Sequence, residues 1–245
     1  MTNAQPVTPR CASPNSLVAG PIEQGHHSRY METRHKALEL FAKCGFSRVS
    51  MRDLATYLGI NVGSIYNHID SKEALLFELI EELYEQLLHG ASLVSRRKSA
   101  PAVRLHGLFE AHLLLHERMG AHFRLAEYDL HCLSSEQQAL ILTLRRRYEE
   151  HLVGTIEQLT GTPVSVTQRA TLSSIVSLLN QLPAWIGESQ ASKGARRKLL
   201  HEIVMGALHG ALQATHTTGC KFPENQSSTA RETASYKCQC SVIAR

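Results

Sequence analysis

The sequence predicts an all-α protein, and three observations support this. Apolar side chains between residues 29 and 216 recur at spacings of three and four, and no stretch keeps the alternation of a half-buried strand. Leucine and alanine are frequent, whereas aromatic residues make up only 6% of the 245 residues. Glycine, serine and asparagine stand where successive helices would end and begin.

Composition indicates a folded centre between two polar ends. Apolar residues make up 43% of the chain, a fraction large enough for a packed core, and charged residues make up 20%. The net charge of +4 is mildly basic and does not by itself indicate a nucleic-acid partner. Residues 1–27 and 217–245 are polar and without periodicity, so we expect a disordered arm and a disordered tail there.

Neither a membrane span nor a signal peptide is expected. No stretch approaches the roughly 20 apolar residues that cross a bilayer, and the first residues lack an apolar run. We therefore expect a cytoplasmic protein without a membrane partner. The six cysteines, at positions 11, 44, 132, 220, 238 and 240, fit no zinc pattern and are expected to be free thiols. A role for the Cys238/Cys240 pair stays open.

The first two helices have clear ends. The first is predicted from about Arg29 to Cys44, and Gly45 follows where a helix terminus favours positive φ. Ser50 is a suitable N-cap for a second helix over 51–58, with Asp53 placed to complete a capping box.

Two further helices follow closely. Gly59 ends the second helix, and Asn61 caps a third that is predicted to run from Val62 to about Ile69. Ser71 then begins a long helix predicted from Lys72 to about Leu88. Helix, short helix, glycine turn and short helix is the layout of a helix-turn-helix DNA-binding unit.

The third helix has the features of a recognition helix. Ile65 and Ile69 are four residues apart and would anchor it to the core. The polar residues Ser64, Tyr66, Asn67 and His68 would then face a DNA groove. Gly63 would let the backbone approach closely.

Charge is distributed in agreement with this layout. Between Ser28 and Lys72 there are seven Lys or Arg residues and four Asp or Glu residues, a net charge of +3. The next helix carries five glutamates before Arg96 and no Lys or Arg after its first residue. Positive charge is thus concentrated where phosphates would lie.

Residues 35–76, HKALELFAKCGFSRVSMRDLATYLGINVGSIYNHIDSKEALL, resemble the DNA-binding domain of the Tet repressor (TetR) family. The sequence departs from the family pattern at Ser50, Asn61 and Ile69, where threonine, serine and phenylalanine are usual. Each replacement keeps the physical role of cap, cap and core residue. The resemblance implies a DNA-binding domain over 28–75 and a helical domain for ligand binding and dimerisation over 76–216.

The resemblance also implies which residues meet DNA. Tyr66 and Lys72 would contact phosphates, Ser50 and Arg52 would approach the DNA backbone, and Asn67 suits an adenine edge. The full set is Ser50, Arg52, Asn61, Gly63, Ser64, Tyr66, Asn67, His68 and Lys72. For Tyr66 a core position is the alternative, and for His68 a packing or capping role.

The C-terminal part carries a looser resemblance. Helices are predicted near 101–119, 121–131, 134–160, 165–190 and 193–216. The segments FRLAEYDLHCLSSEQQALILTLRRRYEEHL and SLLNQLPAWI resemble the TetR subgroup that senses fatty acyl-CoA thioesters. The implied ligand-binding residues are Phe109, His112, Leu113, Phe123, Arg124, Tyr148, Leu179, Asn180 and Trp185. The apolar members could equally be ordinary core.

The predicted function is that of a regulator rather than an enzyme. No catalytic motif stands out, and no cofactor is expected other than a small effector. The resemblance implies a homodimer, formed through the last two helices over about 165–216. It would bind a palindromic operator in double-stranded DNA and act as a repressor that an apolar effector, such as a fatty acyl-CoA, releases.

Two alternatives remain at this point. The effector could be a multidrug-type apolar ligand, although such sites are commonly rich in aromatic residues. His112 and His116 are four residues apart on a helix, a spacing compatible with a metal sensor or metalloenzyme.

Overall fold

The computed structural model describes residues 21–66, 69–186 and 192–214, which form α-helices joined by short connections. The helices are α1 (Pro21–Cys44), α2 (Met51–Leu58), α3 (Val62–Ile65), α4 (Lys72–Ser95), α5 (Pro101–Tyr128), α6 (Ser135–Thr160), α7 (Val166–Ile186) and α8 (Lys193–Ala214). Short 3₁₀ turns at Phe46–Arg48 and Leu130–Cys132 precede α2 and α6. The all-α prediction, with an N-terminal helix-turn-helix domain and a helical C-terminal domain, is confirmed.

The first helix begins earlier than predicted. α1 starts at Pro21, so residues 21–27, which we assigned to the disordered arm, are helical. These residues lack apolar periodicity, and the pattern therefore gave no sign of a helix. Proline is nevertheless favourable in the first turn of a helix. Residues 1–20, and the predicted tail over 217–245, lie outside the described residues.

The helices α1 to α3 enclose a small core. Phe41 of α1 and Phe46 of the 3₁₀ turn meet edge to face, with their ring centroids 5.2 Å apart. Leu54 of α2 and Ile65 of α3 are buried beside them. Gly59 has a φ of 68°, in the left-handed region, and so lets the chain turn sharply from α2 towards α3.

The helix α4 connects the two parts of the molecule. It runs seven residues beyond the predicted end at Leu88. Its buried residues form one stripe over its whole length: Leu75, Leu76, Leu79, Ile80, Leu83, Tyr84, Leu87, Ala91 and Val94. Its first turns pack in the DNA-binding core and the rest packs against α5 and α6.

The helix α5 is kinked where the sequence predicted a break. Met119 has non-helical backbone angles, φ −120° and ψ 27°, just before Gly120. The helices α6 and α8 begin within one residue of their predicted starts, and α7 ends at Ile186. Residues 187–190, predicted as the end of α7, lie outside the described residues.

None of the helices in the described ranges combines the length and the apolarity needed to cross a membrane. Cys44 and Cys132 are free thiols. The other four cysteines lie outside the described residues.

Candidate nucleic-acid interface and effector cavity

The start of α2 is fixed by local hydrogen bonds. Ser50 Oγ accepts from the backbone N–H of Asp53 at 3.1 Å, and the Asp53 carboxylate accepts from the Ser50 N–H at 2.9 Å. This is the predicted capping box. The hydrogen bonds from Ser50 lower the pKa of the Asp53 carboxyl. Ser50 and Arg52 are both exposed, so either side chain can approach DNA from the first turn of α2.

The start of α3 is fixed in the same way. Asn61 Oδ1 accepts from the N–H of Gly63 at 2.7 Å, which caps the helix. Both residues are exposed, and Ser64 is half-buried.

The rest of α3 divides into an anchored side and an open side. Ile65 is completely buried and Ile69 is 3% exposed, whereas Tyr66 is 54% exposed. The alternative of Tyr66 as a core aromatic is therefore wrong. The helix itself ends at Ile65, with Tyr66 in the following turn. Asn67 and His68 lie outside the described residues, and their roles stay predictions.

Lys72 has an internal role that the sequence did not indicate. Its ammonium donates hydrogen bonds to the carbonyl oxygens of Phe46 and Val49, at 3.1 and 2.9 Å. It also lies 4.1 Å from the centroid of the Phe46 ring. The contacts tie the first turn of α4 to the connection between α1 and α2. The phosphate contact of Lys72 stays a prediction, but its ammonium already has these partners.

A cavity of about 900 Å³ lies between the C-terminal half of α1, the second half of α5, the end of α7 and the start of α8. This volume is in the upper part of the range of small-molecule sites. Four of the predicted ligand-binding residues line it, namely Leu113, Phe123, Arg124 and Asn180. Trp185 is a predicted member whose side chain lies outside the described residues.

The other predicted ligand-binding residues belong to the core instead. Phe109, His112, Tyr148 and Leu179 are buried and do not line the cavity. His112 Nδ1 and the Tyr148 hydroxyl are joined by a hydrogen bond of 2.9 Å. Burial lowers the pKa of His112 to about 3, which keeps the imidazole neutral. They form the core directly behind the cavity lining: the ring centroid of His112 lies 5.2 Å from that of Phe123, which does line the cavity.

One wall of the cavity is polar and internally hydrogen-bonded. The carboxylate of Glu127 accepts from Asn180 Nδ2 at 2.5 Å and from Gln181 Nε2 at 3.1 Å. His116 Nε2 donates to the backbone carbonyl of Asn180 at 3.0 Å. The contacts fix α7 against α5 and explain why Asn180 is almost fully buried.

The cavity has a basic rim, of which only Arg124 was predicted from the sequence. Lys43, Arg124, Lys193, Arg196 and Arg197 contribute to its lining, together with three glutamates. The rim therefore favours an anionic group, which a charged ligand could supply. Because α1, α5 and α8 are far apart in sequence, no local motif could have indicated this set.

Arg145 of α6 is a basic residue that lies away from the cavity. Its Nε is 3.1 Å from Glu149 Oε1, and its Nη2 donates to Ser177 Oγ at 2.7 Å. Ser173 also donates to Glu149. Arg145 thus joins α6 to α7 in a half-buried ion pair and does not line the cavity.

An ionic cluster joins the cavity wall to the DNA-binding helix α1. Arg34 Nη2 lies 2.8 Å from Glu82 Oε2, and His122 Nε2 lies 3.8 Å from the same oxygen. Arg34 also approaches Glu78, to which Tyr30 donates a hydrogen bond. Burial lowers the pKa of His122, and Glu82 opposes this effect. The second half of α5 is thereby connected to both α1 and α4.

Comparison with known families decides the assignment. The family model described as bacterial regulatory proteins of the tetR family matches residues 34–79. The model of the tetracyclin repressor-like C-terminal domain matches residues 98–189. The two matches coincide with the helix-turn-helix and with the domain that holds the cavity. The chain belongs to the TetR family. This is a family of regulatory proteins, in agreement with the prediction of a regulator and not an enzyme.

Individual relatives agree with the TetR assignment over part of the chain. The HTH-type transcriptional repressor KstR2 of Mycobacterium tuberculosis is 34% identical over 94 residues, which are 38% of this chain and 45% of the relative. The aligned segment thus spans less than half the length of this relative.

Solved structures share the TetR fold over most of the chain. A regulatory protein of the tetR family from Rhodococcus RHA1 has a TM-score of 0.65 and 25% identity, covering 74% of this chain and 95% of that one. AibR, solved in complex with isovaleryl coenzyme A and operator DNA, has a TM-score of 0.62 and 18% identity, covering 71% and 97%. The second similarity shows the fold alone.

The metal alternative has no support in this TetR-family structure. His116 donates to a carbonyl and His112 is hydrogen-bonded to Tyr148. Among the described residues, no group of three or more His, Cys, Asp or Glu side chains is placed to hold a metal ion.

Proposed function

We propose that this chain is a cytoplasmic transcriptional repressor that binds a palindromic operator as a homodimer and is released by a small anionic, partly apolar effector. The observation that carries this proposal is the combination of an exposed helix-turn-helix face and a large cavity bounded by α1 of the same DNA-binding domain. The DNA-contacting set is Ser50, Arg52, Asn61, Gly63, Ser64, Tyr66, Asn67 and His68, with Lys72 positioning α4 beneath it.

A fatty acyl-CoA thioester fits the cavity well. The apolar side chains of Leu113, Phe123 and Ile186 would accept an acyl chain, and the basic rim would accept phosphates. AibR, which shares the fold, was solved with isovaleryl coenzyme A. The multidrug alternative is weaker because, among the described lining residues, only Phe123 and Tyr128 are aromatic.

The dimer interface is proposed on α7 and α8. On α8, Leu199, Ile203, Gly206, Ala207 and Gly210 are exposed and follow one another at spacings of four, three, one and three. This makes a stripe of apolar and small side chains along one face of the helix, next to the buried face formed by Leu200, Val204 and Leu208. Two copies joined there could present two recognition helices to half-sites about one DNA turn apart.

Release would follow from a change in the tilt of α4. An effector that displaces the second half of α5 would act on α4 through Glu82 and on the recognition unit through the Lys72 contacts. To release the operator effectively, the effector must prefer the unbound state. A 100-fold preference corresponds to about 2.7 kcal/mol.

The experiment that tests this function is a gel shift with DNA flanking the gene for this chain, with and without acyl-CoA thioesters. A shifted band that one class of thioester abolishes is the expected result. A band that no thioester affects would refute the effector class while keeping DNA binding. Absence of a band at low salt, on that DNA and on randomised DNA pools, would refute the DNA-binding role.

A further inference from the structure

We infer that the DNA-binding domain itself supplies part of the effector site, and that Lys43 of α1 binds the anionic group of the effector together with Arg124 of α5 and Lys193 of α8. The inference rests on the proposed use of the cavity as the effector site. It assigns a direct ligand contact to a helix of the DNA-binding domain.

The position of α1 is the first argument. Glu39, Ala42 and Lys43 of its last two turns line the cavity. The same helix supplies Phe41 to the core of the DNA-binding domain. A ligand in the cavity would therefore touch the body that carries the recognition unit.

The pairing of the basic side chains is the second argument. Arg197 is occupied by Glu110 at 2.7 Å and by Glu117 at 2.9 Å. By contrast, Lys43, Arg124 and Lys193 are exposed at the rim and form no ion pair with any residue in the described ranges. Three cations from three helices thus face one opening, and of these Arg124 also interacts electrostatically with Asp129.

The acids of the cavity are fewer than its basic residues. Five Lys or Arg residues and three glutamates line it, which leaves a net charge of +2. Glu117 is paired with Arg197, Glu127 accepts from two amides, and Glu39 lies 3.3 Å from His35. An incoming anion therefore meets net positive charge at the rim, and a phosphate or carboxylate is the chemical class that this favours.

Direct contact with α1 has a thermodynamic consequence. A ligand that bridges α1, α5 and α8 favours one position of the DNA-binding domain relative to the cavity. Operator DNA likewise favours one position of the DNA-binding domain, the one in which it is bound. Each ligand then changes the affinity for the other by the same factor.

The test measures effector binding to the full chain in the absence of DNA, by isothermal titration. The probes are decanoyl-CoA, decanoate and 1-decanol, which share a ten-carbon chain and differ in charge. The variant is Lys43→Gln. The matched control is Lys36→Gln on the same helix, whose ammonium pairs with Glu32 at 2.8 Å and does not line the cavity.

We expect Lys43→Gln to weaken binding of decanoyl-CoA and decanoate by about tenfold, the typical effect of one charge-assisted hydrogen bond. Binding of 1-decanol should change less than about twofold, since a neutral head gains little from Lys43. Lys36→Gln should leave all three affinities as in the wild type. The difference should shrink as salt is raised, because exposed charges are screened.

Three results would overturn the inference. The first is an equal loss for the charged and neutral probes, which would mean that Lys43 only stabilises the end of α1. The second is no change in any affinity, and the third is no binding of either anionic probe to the wild type. Because no DNA is present, failure of the repressor proposal would show separately, as absence of a gel shift by a protein that still binds the probes.

Discussion

Replacing Lys72 by methionine separates its internal contacts from a phosphate contact. Methionine keeps the length and the apolar packing on Phe46 but removes the charge and the donors. The carbonyl oxygens of Phe46 and Val49 would then lose the bonds they accept at 3.1 and 2.9 Å. A hydrogen bond to a charged group contributes about 1.5–3 kcal/mol, and a cation–π contact about 0.5–1 kcal/mol.

Because the site is only half-buried, the lower ends of these ranges apply, and contributions from neighbours are not additive. We expect the free energy of unfolding to fall by about 2–3 kcal/mol, which corresponds to a loss of about 5–10 °C in Tm for a chain of this size. The assay is chemical and thermal denaturation followed by circular dichroism. Lys36→Met is the control. Its pair with Glu32 is exposed and screened by solvent, so its loss should leave Tm close to that of the wild type.

DNA binding supplies the second readout. A phosphate contact by Lys72 in each subunit would lower the slope of log affinity against log salt by about two units for a dimer. We expect that slope to stay as in the wild type while the affinity falls. An unchanged Tm together with a reduced slope would refute the internal role and restore the phosphate contact.

Three further changes test the interface, the dimer and the buried histidine. Tyr66→Phe should weaken binding to specific and random DNA by about tenfold in fluorescence anisotropy, since the hydroxyl would donate to a phosphate. Tyr57→Phe on α2 is the control, and an equal loss of affinity in the two variants would contradict the phosphate contact of Tyr66. Ile203→Arg should give monomers in analytical ultracentrifugation and abolish operator binding, because a charge would be buried in the interface. Leu159→Arg, at another exposed apolar residue, should stay dimeric. A dimeric Ile203→Arg variant would exclude this face of α8 as the dimer interface. Below pH 6.5 the unfolded chain protonates His112, whereas the folded chain, with a pKa of about 3, does not. The free energy of unfolding should therefore fall by about 1.4 kcal/mol per pH unit between pH 6 and pH 4 from this group, and His112→Gln should flatten that dependence in urea titrations; an unchanged slope would contradict the burial of a neutral imidazole.

The DNA-binding unit could be located from sequence because its signals are local. The caps Ser50, Asn61 and Ser71 each act on a backbone N–H two or three residues ahead. Gly59 has a positive φ, which a glycine adopts without steric cost at its own position. Such interactions depend only on neighbouring residues, so a single sequence contains the information needed to place the helix ends.

The cavity could be predicted only in part because its walls come from four helices. Apolar periodicity identifies the buried faces of a helix but not whether a buried side chain meets another helix or an empty space. Phe123 lines the cavity and Phe109 lies in the core, although both stand on α5. Lys43 and Lys193 are 150 positions apart and share the rim only after folding.

The continuous helix α4 fixes the rotation of the recognition unit relative to the effector cavity. Its 24 residues rise about 1.5 Å each, so that the helix is about 36 Å long. Deleting one residue within it would turn everything beyond by about 100°. The recognition unit would then lose its angular register with the cavity, and with the partner subunit. Insertions are therefore tolerable in the connection at 96–100 but not inside α4. In a hybrid regulator assembled from two relatives, α4 must keep its number of residues.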